Sequence, residues 1–418
     1  MKKLLISCLC LGALFMAASC DKDDEVAKKY QVTINVSAED TDISTLQNFK
    51  VVLSSTSGEK ITLESDTLAQ TTFTGKVVAG TYSLMATANT FDYIYTASKT
   101  VSIADNDVVV NIVMKGSKKQ DSDIIFKEVY FTGVADFYFQ DAFYELVNNS
   151  NETKYLDGII FALIDRGFNN ETSSWADSLG NIPANYYPLK GYVMQFPGTG
   201  QDYPVEPGQN VLIANLSMDH TARELTDADA LSPSNLTDAD WEIYIPTSKR
   251  DIDNPNVPNL ELIWGSGGFY FMPAVAGEPM ALIKLPEGIT AESFVNDSTN
   301  YHSAPGTTKM SLCVPCNYVM DAIDIQRHGE TKIVKVFHPA QDAGYTYITG
   351  ADENAPGYST AFEDWASPYY CGKSLRRKCT KIENGRAYFK DTNNSSEDFI
   401  LGGQRAVVRR SFRTADAD

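Results

Sequence analysis

From Tyr30 to Met114, apolar and polar side chains alternate in short runs. "YQVTINV", "FKVVLSS", "KITLES", "TFTGKVV", "YSLMATA", "YIYTASKTVSI" and "VVVNIVM" each put every second side chain on one face. Such a period of two is the mark of a half-buried strand. Turn-forming residues separate the runs, so residues 30–115 are predicted to form an antiparallel β-sandwich. "KGSKKQDSD" (115–123) is polar and charged, and predicts a linker over 116–123. Strand patterns return in "IIFKEVYFTG" (124–133) and in "DAFYELVNNSNETKYLDGIIFALID" (141–165), which contains an Asn-rich turn. "KIENGRAYF" (381–389) predicts a hairpin, because Asn384-Gly385 suits a type I′ turn. No long 3.6-residue period is present. The expected class is all-β, with a small sandwich followed by a larger β domain with insertions over 124–413 and a short tail, 414–418.

The pattern is different at the N-terminus. Lys2 and Lys3 precede an apolar run, Leu4 to Met16, and then the small residues Ala17, Ala18 and Ser19. This is the layout of a secretory signal peptide over 1–19, too short to span a bilayer as a helix. Cys20 follows directly, and the junction resembles a bacterial lipobox. That resemblance implies acylation of Cys20 and attachment to a membrane through lipid. Lys22, Asp23 and Asp24, inside a charged tether over 20–29, resemble the lipoprotein export signal of Bacteroidetes-type bacteria. They imply an outer-membrane position facing the cell exterior.

Charge narrows the partners. There are 35 Lys and Arg against 54 Asp and Glu, a net charge of −19. Losing Lys2 and Lys3 with the leader makes the chain more negative still. Such a surface repels phosphate backbones, so nucleic acid is not an expected partner. Outside the leader and Cys20, the body keeps Cys313, Cys316, Cys371 and Cys379. An even count in an oxidising compartment favours disulfides, and sequence does not choose among the pairings. Zinc binding or a redox pair at "CVPC" are the alternatives, although no strand–CxxC–helix context surrounds that motif.

Several phrases carry a family likeness. "VVAGTYSLMA" looks like the hairpin of transthyretin-like and carboxypeptidase-regulatory-type domains, which are mostly spacers or adhesion modules. Glu128, Glu145, Leu146, Asn148, Leu156 and Gly158 fall on the opening pattern of a lamin-tail-type, immunoglobulin-like sandwich. "QFPGTGQDYPVEPGQNVLIAN", "VMDAIDI" and "GKSLRRK" continue it. Within it, Gly208 follows Pro207 at a turn that requires positive φ. The whole arrangement resembles an uncharacterised family of Bacteroidetes outer-membrane lipoproteins, most specifically in "DIDNPNVPN" (251–259), "SLRRK" (374–378) and "DTNNSSEDF" (391–399). The resemblance implies a non-catalytic accessory role, with a TonB-dependent receptor as a partner.

Motifs for chemistry are sparse. His220, His302, His328 and His338 are the four histidines, and none lies in HExxH. Neither a GxSxG elbow nor a phosphate loop is present. One loop stands out: Asp251, Asp253, Asn254 and Asn256 place four side-chain oxygens in six residues, stiffened by Pro255 and Pro258. Calcium takes oxygen ligands of this kind, although the same residue types also cap turns. Asp219-His220 would join the loop if the insertion folded back. Trp241, Trp264, Phe269, Tyr270 and Phe271 flank it, as sandwich core or as a ligand-stacking surface. The leading expectation is a cell-surface binding or accessory protein serving uptake of a nutrient or metal compound. The alternatives are a metal-assisted hydrolase built on acids of 219–256, and a structural adhesin.

Overall fold

The computed structural model describes residues 27–416, apart from 56–59, 66–70, 91–92, 119–122, 135–136, 168–172, 177–181, 184, 223–231, 276, 327–332 and 349–369. The leader, Cys20 and the Lys22-Asp23-Asp24 cluster lie outside the described residues.

The alternating runs of the first domain form strands β1 (Lys29–Ala38), β2 (Gln47–Ser55), β3 (Lys60–Thr62), β4 (Glu64–Ser65), β5 (Thr72–Val78), β6 (Gly80–Asn89), β7 (Tyr93–Ile103) and β8 (Val108–Lys118). Their order is β3-β2-β6-β7-β8-β1-β5-β4. β8 holds the network together: its first half runs parallel to β1, from Val32↔Val108 to Ala38↔Met114, and its end pairs antiparallel with β7. Alternation sends Ile34, Leu53, Leu84, Ile112 and Met114 into one core. β8 runs on through Gly116, Ser117 and Lys118, so the expected linker begins inside a strand.

The larger domain is built from β9 (Ile124–Tyr130), β10 (Phe143–Asn148), β11 (Ile159–Ile164), β12 (Tyr186–Gln195), β13 (Asn210–Ala214), β14 (Trp241–Glu242), β15 (Glu261–Trp264), β16 (Met280–Lys284), β17 (Tyr301–Ser303), β18 (Met310–Pro315), β19 (Val319–Ile323), β20 (Lys373–Arg377), β21 (Cys379–Glu383), β22 (Arg386–Phe389) and β23 (Phe399–Arg405). One sheet has the order β14-β13-β10-β9-β20-β23. The other has β17-β18-β12-β11-β16-β19, with β15 added on β12. The expected all-β class is observed, and among the described residues the α-helices are short, Ala291–Asn296 and Ser395–Asp398.

The main core contains Phe126, Tyr144, Phe161, Met194, Phe271 and Leu282. The Tyr144, Phe161 and Phe271 rings meet edge-on or tilted at 4.8–5.9 Å. Each buried large side chain of this kind contributes about 1.5–3 kcal/mol. β9, β10 and β11 are buried along their whole length. This requires the charges of β9 to be paired, because unpaired ions do not survive burial. Lys127 meets Glu145 at 2.5 Å. Glu128 takes two hydrogen bonds from Arg410, at 2.8 and 2.9 Å. The segment after β23 is thereby clamped onto the outer face of the first sheet.

The two expected turns form. Gly208 has φ +79°, with Gln209 N–H donating to Glu206 O. Asn384 and Gly385 have φ of +51° and +82° between β21 and β22.

Candidate functional site

The 251–259 loop is fixed by a carboxylate that lies outside it. Glu242, at the end of the short edge strand β14, is fully buried. Its Oε1 accepts from Ser217 N–H at 2.6 Å and its Oε2 from Asn254 N–H at 2.8 Å. The Asn254 side chain then donates to Ser217 O at 2.9 Å. The insertion therefore does fold back onto the loop, and it meets Asn254 through Ser217. Burial raises the Glu242 carboxyl above the ordinary range, against these two amide bonds.

In the expected calcium loop, Asp251, Asp253 and Asn254 already have protein partners. Asp251 Oδ2 accepts from Ile245 N–H and its Oδ1 from Ile252 N–H. Asp253 accepts from the Asn259 amide, and Asn254 Oδ1 accepts from Asn256 N–H. These oxygens cap turns within the loop and, at Ile245, just before it, the use that short Asp and Asn side chains serve in turns. Among the described residues, no three His, Cys, Asp or Glu side chains cluster as ligands for one ion. Burial pushes the Asp251 carboxyl up to about 6, with Glu242 and Asp253 adding like-charge repulsion. Asp219 caps its own turn by accepting from Thr221. His220 is fully buried, 2.5 Å from the Tyr138 hydroxyl through Nδ1 and 2.9 Å from Leu216 O through Nε2. A carbonyl accepts only, so Nε2 carries a proton, and in the neutral ring Nδ1 then accepts from Tyr138.

The flanking aromatics divide between two roles. Trp241 and Phe271 are core, Trp264 packs partly buried in the neighbouring cluster, Phe269 is exposed and Tyr270 is half-buried. The Tyr270 hydroxyl accepts from Gln140 Nε2 at 2.8 Å and donates to Arg250 O at 3.0 Å. The Arg250 guanidinium lies 4.2 Å over the Phe269 ring. On the adjoining loop, Phe137 and Tyr370 meet edge to face at 5.2 Å. Both have left-handed backbones, φ +59° and +60°. Bulky residues hold that conformation at a cost, and such strain gathers at functional sites. Phe137 is 51% exposed, Ile252 64%, Phe269 55% and Met272 53%. Phe137, Arg250, Ile252 and Met272 escape a reading of the sequence. The signal was present in "ADFYFQ", whose aromatics outnumber those one strand face can bury.

The structure shows no disulfide among the four body cysteines; Cys313 and Cys379 are buried, and Cys316 and Cys371 are half-buried. Cys313 packs with Trp175 and Ala304, while Cys379 packs with Ile125 and Phe389. Burial pushes the Cys313 and Cys316 thiols up to about 12 and raises Cys371 and Cys379.

The most specific phrases of the chain prove to be internal ties. Arg377 of "SLRRK" is fully buried and bonded to Asp321, to Asp391 and to Phe126 O. In "DTNNSSEDF", Asp398 accepts from Thr392 through both oxygens.

Residues 206–405 match the family model described as a protein of unknown function (DUF4876). The match takes in the 251–259 loop, Arg377 and the 391–399 turn. The fold is similar to the crystal structure of a DUF4876 family protein from Bacteroides thetaiotaomicron, with TM-score 0.55 at 23% identity over 91% of this chain and 97% of that one. The body is thus similar to a domain of unknown function over 206–405, and the fold is shared with a Bacteroides protein. Weaker likenesses are to the major pilin subunit BcpA of Bacillus cereus (TM-score 0.19, 13% identity, 33% and 43% of the two chains) and a putative adhesin from Bacteroides ovatus (0.17, 10%, 65% and 83%). At those scores neither carries an argument. No curated protein matches the chain.

Proposed function

We propose that this is a cell-surface lipoprotein of the outer membrane that docks a partner protein through the loop end of its body and performs no catalysis. Cys20 supplies the lipid anchor, and Lys22, Asp23 and Asp24 direct it outward. The first sandwich, transthyretin-like by resemblance, is a spacer. The lamin-tail-like body presents the loops. The partner class is a TonB-dependent receptor, with this chain as its accessory in uptake.

One observation carries the reading: exposed Phe269 lies against the Arg250 guanidinium next to exposed Ile252, while exposed Met272 and Phe137 sit on segments tied together at Tyr270, and Glu242 holds the loop from beneath. Aromatic residues, Met and Arg are the residue types enriched at protein interfaces. Apolar side chains gathered on a rigid rim mark a contact site rather than a solvated surface. Recognition loops on a firm sheet scaffold are the common arrangement for binding proteins.

The test is crosslinking of intact cells that express the anchored protein, followed by purification from the outer membrane. A transporter-type barrel recovered with the wild type and lost with Phe269→Ser/Ile252→Ser supports the proposal. Recovery of the protein alone, or of the same partner with both forms, overturns it.

A further inference from the structure

A second concavity lies away from the loop end. A cleft of about 800 Å3 opens between the first sandwich and the body, within the size range of small-ligand sites. Its body wall comes from the start of β12, from β17 and β18, and from the turn at Cys316–Tyr318. Its other wall is the outward face of β6, β7 and β8.

The body wall carries a stack of two rings, the plate of this site. The Tyr186 and His302 rings stack with centroids 3.9 Å apart and planes within 6°. β18 aligns them, pairing Tyr186 with Pro315 and His302 with Ser311. Tyr186 also packs against Trp175, Ala304 and Cys313, so the plate is held before any ligand arrives. Around it, Asn185, Asn317, Thr96 and Ser98 line the cleft with side chains that make no hydrogen bond among the described residues.

The charge of the lining is unusual for this chain. Among the described residues that line the cleft, none is Asp or Glu, although the chain has 54 acids. Its one ammonium, Lys115, faces Glu39 at 3.7 Å. A lining without acids does not attract cations, and the paired Lys115 gives little pull on anions. The Cys313 and Cys316 thiols, pushed up to about 12 by burial, stay protonated at neutral pH and do not act as nucleophiles. What remains is neutral recognition: a ring plate for an apolar ligand face, ringed by amides and hydroxyls that both donate and accept.

We propose that this cleft binds a neutral oligosaccharide, with a C–H face of one sugar on the Tyr186–His302 plate and its hydroxyls on Asn185, Asn317, Thr96 and Ser98. The site is separate from the docking loops, and the failure of either proposal leaves the other standing.

Calorimetric titration of residues 21–418 with short neutral hexose oligomers, and with uronate-containing counterparts, tests it. At least one neutral oligomer is expected to bind saturably. His302→Ala, which removes one of the two stacked rings, should weaken that binding by about tenfold. Ser98→Arg fills the cleft from the exposed sandwich face, and should weaken binding as much without moving the melting temperature. Ser98→Arg alone decides the matter if the His302 variant misfolds. The proposal is overturned if no neutral oligomer binds, if uronate oligomers bind in preference, or if binding survives Ser98→Arg.

Discussion

Arg377 holds Asp321 through a single nitrogen: Nη2 donates to both carboxylate oxygens, each at 2.8 Å. The pair joins the two sheets of the body, since Arg377 lies in β20 and Asp321 in β19. Phe126 of β9 completes the tie by accepting from Arg377 Nε at 2.7 Å and donating its N–H to Asp321 at 2.7 Å. Burial pushes the Asp321 carboxyl up, to about 7, against the pull of Arg377. The tie is a place of conflict between desolvation and attraction, and its worth lies in register between the sheets.

Removing one partner should therefore cost far more than removing both. Arg377→Met leaves a buried carboxyl without its cation and is expected to lose about 3–5 kcal/mol. Arg377→Met with Asp321→Leu should regain most of that loss. Urea denaturation of the two variants measures the difference, and equal losses in both would show that the ion pair has no special part in joining the sheets.

Asp251 sets a pH dependence. Its folded value of about 6 lies above the ordinary 3.8, so the folded protein holds this proton more tightly than the unfolded chain. The resulting stabilisation is present below about pH 4 and is lost as the pH rises through 6. Asp251→Asn should leave stability similar at pH 4 and raise it relative to wild type at pH 7. Melting curves of both proteins across that window give the comparison, and a constant offset would contradict the assignment.

The thiols give a chemical check on the body core. Residues 21–418 should titrate as four thiols in denaturant, from Cys313, Cys316, Cys371 and Cys379. In the folded protein at pH 8, Cys313 and Cys316 should alkylate slowly, because burial keeps them protonated. Fewer than four thiols in denaturant would mean disulfides, and rapid labelling of Cys313 would mean that its thiol ionises more readily than its burial implies.

The exposed loop residues should separate binding from stability. Phe269→Ser and Ile252→Ser are surface changes, each expected to shift stability by no more than about 0.5 kcal/mol. A large loss on denaturation would place these side chains in the core and remove the basis for docking.

Some of this architecture could be read directly from the chain. The alternation from Tyr30 to Met114 needs only local sterics and one buried face, so the strands of the first domain were legible, whereas the parallel pairing of β1 with β8 departs from the expected antiparallel arrangement. The Asn384-Gly385 hairpin was equally local. Lys127 and Glu128 were not legible as buried residues, because charge in an alternating strand reads as a wet face. Their partners lie far off in sequence: Arg410 is 282 residues from Glu128. The Asp251 loop misled in the opposite direction, because turn capping and metal binding draw on the same oxygens. The cleft was invisible, since Tyr186, His302 and Ser98 come from segments that only folding brings together.

The parallel pairing of β1 with β8 has a mechanical meaning. The chain enters the first sandwich on β1 and leaves it on β8 toward the body. Tension applied between a tethered N-terminus and a loaded body would therefore pull these two strands past one another lengthwise. The seven residue pairs from Val32↔Val108 to Ala38↔Met114 would resist together instead of parting in turn like a zip. In single-molecule pulling this domain should yield at a high force, and a Pro placed in β1 at Ile34 should lower that force; a low, hairpin-like rupture in the wild type would count against it. A domain laced in this way can carry a load along the chain without unravelling.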